Sequence, residues 1–159
     1  MKTVCIAIIS ILLAGCAVQS DNIRLDTTPS TSNVLVTVVD TGSETEMTFI
    51  PITGEISVFE VTPSPAIATV LKELLSSSKK KIDVNITETK FKAKVGFMAN
   101  DILSCQIKSN VTFGATSTDI TTKSIYSKSM SVLRTTMEKI IVDQCLRDHA
   151  VDILKITNR

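Results

Sequence analysis

Residues 82–113 have the sequence IDVNITETKFKAKVGFMANDILSCQIKSNVTF, which is the strongest indication of the fold. Apolar and polar residues alternate along both of its halves, which is the period-two pattern of strands that bury one face. The segment MANDI between the halves predicts a turn. The two halves, 82–97 and 102–113, are therefore expected to form long neighbouring antiparallel strands.

The first of these strands changes the parity of its apolar residues. Ile82 and Ile86 have one parity, whereas Phe91 and Phe97 have the other. Because a shift of one residue moves the apolar set to the opposite face, a bulge or sharp twist is expected between Thr87 and Lys90.

Shorter apolar segments predict the remaining strands. VLVTVVD (34–40) is β-branched and apolar on both faces, which predicts a central strand. MTFIPI (47–52) and ISVFEVT (56–62) flank a Thr-Gly-Glu turn and predict a hairpin, with a proline that favours an edge or bulge. IYSKSMSVL (125–133) predicts a last strand after a polar loop over 114–124.

Two segments have helical spacing. The first has Thr62 or Ser64 as its expected N-cap and Pro65 near its first turn, and it ends in serines 76–78. Its apolar face comprises Ile67, Val70, Leu71, Leu74 and Leu75. The second runs from about Thr135 to about Asp148, and a bend or loosening is expected there because Asp148 and Asp152 would fall on its apolar face.

The predicted order β, β, β, α, β, β, β, α indicates an α+β fold: a mostly antiparallel sheet with two helices packed on one face. Residues 34–159 have the length of a single domain.

The N-terminus predicts a targeting segment. Lys2 precedes an apolar run over residues 4–14, which is too short to span a bilayer as a helix. The sequence Leu-Ala-Gly-Cys ending at Cys16 resembles the lipobox of bacterial lipoprotein signal peptides. The resemblance implies a signal peptide over 1–15, cleavage before Cys16, a diacylglyceryl thioether on its sulfur and acylation of the new amino terminus, so that the protein is anchored by lipid.

The residues after Cys16 predict where the domain lies. Residues 17–33 are polar and without periodicity, which predicts a flexible tether. Ala17 resembles the outer-membrane sorting signal of enteric lipoproteins, which implies a domain that faces the periplasm.

Composition excludes several classes of function. The chain has 17 basic and 16 acidic residues, and cleavage of the signal peptide removes the basic residue Lys2. The mature chain is therefore formally neutral, and a nucleic-acid partner is not expected. Aromatic residues make up 4% of the chain and Trp is absent, which argues against stacking platforms for bases or sugars.

Two cysteines remain once the signal peptide and the lipidated residue are set aside. Cys105 has the inward parity of its strand, and Cys145 shares a helical face with Met137 and Ile141. The pair is a disulfide candidate in an oxidising compartment, and the alternative is two separate buried thiols. With no CxxC and one histidine, neither a metal site nor a cofactor is expected.

Six lysines form a candidate anion-binding patch. They are Lys79, Lys80, Lys81, Lys90, Lys92 and Lys94. Such a patch could meet lipopolysaccharide phosphates or another anionic partner. The alternative is an ordinary solvated strand face, on which lysines also oppose edge-to-edge aggregation.

Catalysis is not expected. His149 is the only histidine and is predicted to lie on the surface near a helix end. The chain has no GxSxG, HExxH, P-loop or GxGxxG motif.

The lipobox and tether, the PAIATVLKELL helix, the paired strands of 82–113 and the MEKIIVDQCL helix resemble the YajG-like periplasmic lipoproteins. Lipoproteins auxiliary to lipid-transporting ABC systems have a similar outline. The resemblance implies association with the envelope and supplies no functional residues.

Three functions are weighed in this order. The first is a lipid-anchored, non-catalytic module that docks an envelope protein through a sheet edge or loop. The second is a binder of a lipophilic or anionic envelope ligand. The third is a hydrolase, which would need a cleft that joins His149 to a serine and a carboxylate.

Overall fold

A computed structural model of the chain describes residues 21–24, 35–42, 45–50, 56–94, 101–128 and 134–158. The predicted signal peptide, Cys16 and most of the expected MANDI turn lie outside these residues.

The described residues form seven strands and two helices. In chain order they are β1 (Asp21–Arg24), β2 (Val36–Asp40), β3 (Glu46–Ile50), β4 (Ser57–Ser64), α1 (Ile67–Leu74), β5 (Ile82–Lys94), β6 (Asp101–Phe113), β7 (Thr116–Lys128) and α2 (Arg134–Thr157). The prediction of an α+β fold is confirmed.

The strands join in one mixed sheet of order β1-β4-β3-β5-β6-β7, with β2 beside β5. The long pairs β5–β6 and β6–β7 are antiparallel, as is the predicted hairpin β3–β4. β2 and β3 both run parallel to β5, along its first and second halves respectively. The sheet is thus mostly antiparallel, with β5 at its centre.

The expected bulge lies in β5. The register between β5 and β6 shifts between Ile86 and Glu88, which leaves Thr87 as the extra residue. The bulge also lies between the part of β5 that pairs with β2 and the part that pairs with β3. Since a bulge increases local twist, Thr87 allows one strand to bury apolar residues of both parities on one face.

The turn between β6 and β7 is tight. Phe113 pairs with Thr116, so Gly114 and Ala115 form a two-residue loop. Gly114 has a φ of 59°, a conformation that is strained for residues with a Cβ.

Both helices cover the same face of the sheet, and the core lies between the layers. α1 presents Ile67, Val70, Leu71 and Leu75, which are all buried, so its predicted apolar face is confirmed. α2 lies over β6 and β7 and buries Ile141, Val142, Leu146 and Ile153. The inward residues of β5 and β6 complete one continuous apolar cluster.

Three predicted boundaries are wrong. β4 continues to Ser64, and the N-cap of α1 is Ala66 rather than Thr62 or Ser64. The segment predicted as a polar loop over 114–124 belongs mainly to β7, because its Ser/Thr residues pair along the full length of β6. Residues 129–133 of the predicted last strand lie outside the described residues.

The prediction that α2 ends or loosens near Asp148 is also wrong, because the helix continues to Thr157. Asp148 and Asp152 both accept hydrogen bonds from β7, and these bonds satisfy the carboxylates that the apolar face alone would not.

The prediction of a central strand over 34–40 is wrong as well. In the described part of the sheet β2 pairs only with β5, and Leu35 and Val39 are exposed. Four residues of the predicted tether, 21–24, form β1 and pair with β4.

Candidate functional site

Two sets of polar groups among the described residues are candidates for a site, and they lie on opposite faces of the sheet. One set is enclosed between the sheet and α2. The other set lies on the helix-free face, which is the face opposite the helices and includes the outward residues of β5, β6 and β7.

His149 is the centre of the enclosed set and is fully buried. The Nδ1 atom lies 2.8 Å from Thr122 Oγ1, and the Nε2 atom lies 2.8 Å from Ser109 Oγ. Thr122 donates its only hydroxyl proton to Asp152 Oδ2 at 2.9 Å. We therefore assign the proton to Nδ1, so that His149 donates to Thr122 and accepts from Ser109.

Burial determines the protonation state of this histidine. Desolvation lowers the pKa of His149 to about 4, and the nearby charge of Asp152 opposes that shift only in part. The imidazole is therefore neutral at pH 7. The prediction of a surface histidine is wrong, because Ser109 and Thr122 supply partners inside the core.

A chain of hydrogen bonds connects Ser109, His149, Thr122 and Asp152 in that order. It resembles the arrangement of a nucleophile, its base and a carboxylate in an active site. Ser109 is 2% exposed and Thr122 is 3% exposed, however, and both lie beneath α2. A substrate would have no path to this hydroxyl while α2 is in place. The cleft that a hydrolase would need is not formed among the described residues.

Asp148 forms a second polar contact between α2 and β7. Its Oδ2 atom accepts hydrogen bonds from Ser124 Oγ at 2.6 Å and from the Tyr126 hydroxyl. Burial acts to raise the pKa of Asp148, but these bonds outweigh it and lower the pKa below its ordinary value. Burial, reinforced by the bond to Asp148, raises the pKa of Tyr126 to about 12.

The disulfide candidate is bonded. Cys105 of β6 and Cys145 of α2 are joined with their Cα atoms 6.3 Å apart. Covalent and polar contacts therefore attach the same helix to the same pair of strands, and their role is to hold the layers together.

The helix-free face carries a hollow of about 360 Å³. We call it the lysine hollow, and its outward side chains come from four strands. They are Thr48 of β3, Lys90 and Lys92 of β5, Ser104 and Gln106 of β6, and Lys123 and Ile125 of β7.

The register places these residues in two adjacent rows across the sheet. In the first row, the order is Glu46, Lys90, Gln106, Lys123. In the second row, the order is Thr48, Lys92, Ser104, Ile125. The first row thus combines two lysines with one acidic and one amide residue. The second row combines one lysine with two hydroxyl residues and ends in an apolar residue.

The charges of the hollow are only partly neutralised. The Lys90 Nζ atom lies 3.6 Å from Glu88 Oε1, whereas the Lys108 Nζ atom lies 2.7 Å from Glu88 Oε2. The hydrogen bonds that Lys108 and Gln106 donate, together with the nearby lysine charges, lower the pKa of Glu88. No described residue forms an ion pair or hydrogen bond with the ammonium group of Lys92 or Lys123.

The six predicted lysines do not form one patch. Lys79–Lys81 precede β5, whereas Lys90, Lys92 and Lys94 lie at its other end, about 30 Å away at the rise of an extended strand. Lys80 donates to the carbonyl of Thr157 at the end of α2, and Lys81 lies 3.9 Å from Asp83. Lys79 and Lys94 are exposed, and neither lines the hollow.

The sequence patterns do not predict Lys123, Gln106 and Ser104 as members of the hollow. The predicted polar loop over 114–124 contains Lys123, and a loop would not place it on the sheet face that it shares with Lys90 and Lys92. The alternation of polar residues with Ile120 and Tyr126 in β7 was the available indication of a strand.

The described residues contain neither a cluster of metal ligands nor a membrane-spanning helix. Among the described residues, no three His, Cys, Asp or Glu side chains are grouped so as to hold a metal ion. Neither helix in the described part of the chain is long and apolar enough to cross a bilayer.

No family model and no curated protein matches the chain. Two solved structures align with it at 9% sequence identity. One is a crystal structure of an uncharacterised protein, with a TM-score of 0.49 over 86% of this chain and 99% of that chain. The other is a Xanthomonas campestris protein described under the family model DUF330, with a TM-score of 0.41 over 89% of this chain and 87% of that one.

Proposed function

We propose that the protein is a lipid-anchored, non-catalytic interaction module of the bacterial envelope. In this proposal Cys16 carries the lipid, the anchor lies in the outer membrane, and the α+β domain faces the periplasm. The lipobox-like sequence supports the anchor. The burial of Ser109 and His149 beneath α2 supports recognition over catalysis.

The length and the pairing of β7 support the docking role. β7 is 13 residues long and pairs only with β6 in the described part of the sheet. The free main-chain groups of such an edge can pair with an added strand. We propose that an extended segment of an envelope protein adds to this edge, with side chains alternating between the two faces.

The anchor is tested by the intact mass of the protein purified from its native membrane. The expected mass is that of residues 16–159 with the diacylglyceryl and acyl groups on Cys16. A mass that still contains residues 1–15, or one without lipid, would overturn the anchor and the location.

The docking edge is tested with a photoactivatable residue at Thr121 or at Lys123, both exposed on β7, in the native host. Strand addition predicts that the two positions crosslink to sites two residues apart on the same partner segment. A probe at Val151, which is 49% exposed on α2, is the matched control and should not reach that segment.

Each outcome of this experiment is informative. Crosslinks with the two-residue offset support strand addition by a partner. Crosslinks to a second copy of the chain, crosslinks without the offset, or adducts from Val151 alone would overturn it.

A second candidate function is the binding of a lipophilic or anionic envelope ligand. The lysine hollow specifically favours it, because cationic and hydrogen-bonding groups meet there beside an exposed apolar side chain.

A further inference from the structure

We propose that the lysine hollow binds an amphiphile through an anionic phosphate-monoester head, with the apolar chain against Ile125. This inference rests on the second candidate function and names its ligand class and site.

The charge of the site favours an anion. Lys90, Lys92 and Lys123 approach the hollow from two strands that flank β6, and the last two have no ionic partner among the described residues. Lysine ammonium groups bind phosphate as mobile point charges. Glu46 and Glu88 lie beside Lys90, and Lys108 and Gln106 bind the two carboxylate oxygens of Glu88, so the preference for an anion rests mainly on Lys92 and Lys123.

The neutral groups of the site suit the same ligand. Ser104 lies beside Lys92 in its row, and Gln106 lies between Lys90 and Lys123. The hydroxyl groups of Ser104 and Thr48 can donate hydrogen bonds to phosphate oxygens, and Gln106 keeps a second amide proton besides the one that it donates to Glu88. The donors thus lie where an oxyanion between the lysines would meet them.

The size and the apolar edge of the site indicate more than a bare ion. A volume of about 360 Å³ is within the range of small-molecule sites and is far larger than phosphate requires. Ile125 is 77% exposed at the end of the second row, the largest exposed fraction among the described large apolar residues. An alkyl chain placed there would cover this side chain and gain apolar contact.

The test uses the full-length protein in phosphatidylcholine nanodiscs, with empty nanodiscs as the blank. Calorimetric titrations compare three probes: hexyl phosphate, inorganic phosphate and hexyl glucoside. We expect hexyl phosphate to bind most tightly, because it alone supplies both the anionic head and the chain.

Two variants locate the site. The double variant Lys92→Gln, Lys123→Gln should weaken hexyl phosphate binding by about ten-fold, because two charge-assisted contacts are lost. Lys94→Gln is the matched control, since Lys94 is exposed on the same face of β5 but outside the hollow. It should change the affinity by less than about two-fold. Circular dichroism confirms that each variant is folded.

The alternative outcomes overturn different statements. Equal affinity for inorganic phosphate would show a site for a free anion and overturn the amphiphile. Equal affinity for hexyl glucoside, unchanged in the double variant, would leave ligand binding in place and overturn the anionic assignment. If no probe binds, the ligand-binding function fails with the proposal.

Discussion

At the scale of single residues, His149 shows how burial converts a titratable group into a neutral structural one. Its ring accepts a hydrogen bond from Ser109 and donates one to Thr122, so both nitrogens are satisfied without a charge. On protonation Nε2 would become a donor and could no longer accept from Ser109, and the ring would be charged in the core.

This environment predicts a pH dependence of stability. The unfolded chain takes up a proton on His149 as the pH falls below about 6.5, whereas the folded chain does so only near its pKa of about 4. The contribution of His149 is therefore complete above pH 6.5 and is lost as the pH falls from 6.5 to 4. Between pH 7 and pH 5 the free energy of unfolding should fall by about 2 kcal/mol from this group.

Denaturant titrations at several pH values measure this slope. The variant His149→Gln should lack it, whatever its absolute stability, because glutamine does not titrate. A variant that keeps the same slope would place the titration elsewhere. The window above pH 5 separates His149 from Glu88 and Asp148, whose lowered pKa values lead to losses of stability at lower pH.

The residue scale also shows what sequence patterns could predict of the candidate site. The inward directions of Cys105 and Cys145 followed from periods of two and four, and their disulfide is present. Lys90 and Lys92 could be placed on one strand face, but their convergence with Lys123 depends on the register between three strands. Local periodicity does not encode that register.

At the scale of elements, α2 is held along its length by contacts of different chemistry. After the disulfide at Cys145, the side chains of Asp148, His149 and Asp152 form hydrogen bonds with residues of the sheet. The side chain of Ile153 is then buried in the core. Lys80 donates to the carbonyl of Thr157, which supplies a cationic partner at the C-terminal end of the helix.

Because α2 continues to Thr157, truncation of the Ile153 side chain is expected to destabilise the protein. Because Ile153 is fully buried, Ile153→Ala should lower the free energy of unfolding by about 2–4 kcal/mol. Val151→Ala is the matched control on the same turn and should change it by less than about 0.5 kcal/mol, since Val151 is exposed. Equal effects of the two substitutions, measured by denaturant unfolding, would contradict a folded last third of α2.

β5 also has one feature that the sequence predicts and one that it does not. The change of parity along the strand was visible in the sequence, and the bulge is present at Thr87. That two different strands pair with the halves of β5 was not visible, because β2 and β3 approach it from distant parts of the chain.

At the scale of the whole molecule, one covalent bond joins the helical layer to the sheet. The disulfide closes a segment of 40 residues that contains most of β6, all of β7 and half of α2. In the chain-entropy description, a loop of this length stabilises the folded state by about 4 kcal/mol.

Removal of the bond should therefore lower the free energy of unfolding by about this amount. The variant Cys105→Ala, Cys145→Ala compared with the oxidised parent in denaturant measures it. The same double variant with and without reductant is the control and should show no difference. Reductant should destabilise the parent alone, and a parent that is insensitive to complete reduction would contradict the prediction.

The sequence alone is enough to predict the α+β class, the two long antiparallel strands, the bulge, the apolar face of α1 and the inward direction of both cysteines. These follow from the spacing of apolar residues, because spacing records which face of an element is buried. Tertiary contacts account for the burial of His149, the continuation of α2 past Asp148, the pairing of β2 with β5 alone among the described strands, and the grouping of three lysines around one hollow. Each of these depends on partners 22 to 40 residues away or on strand register, and the spacing of residues within one element does not encode them.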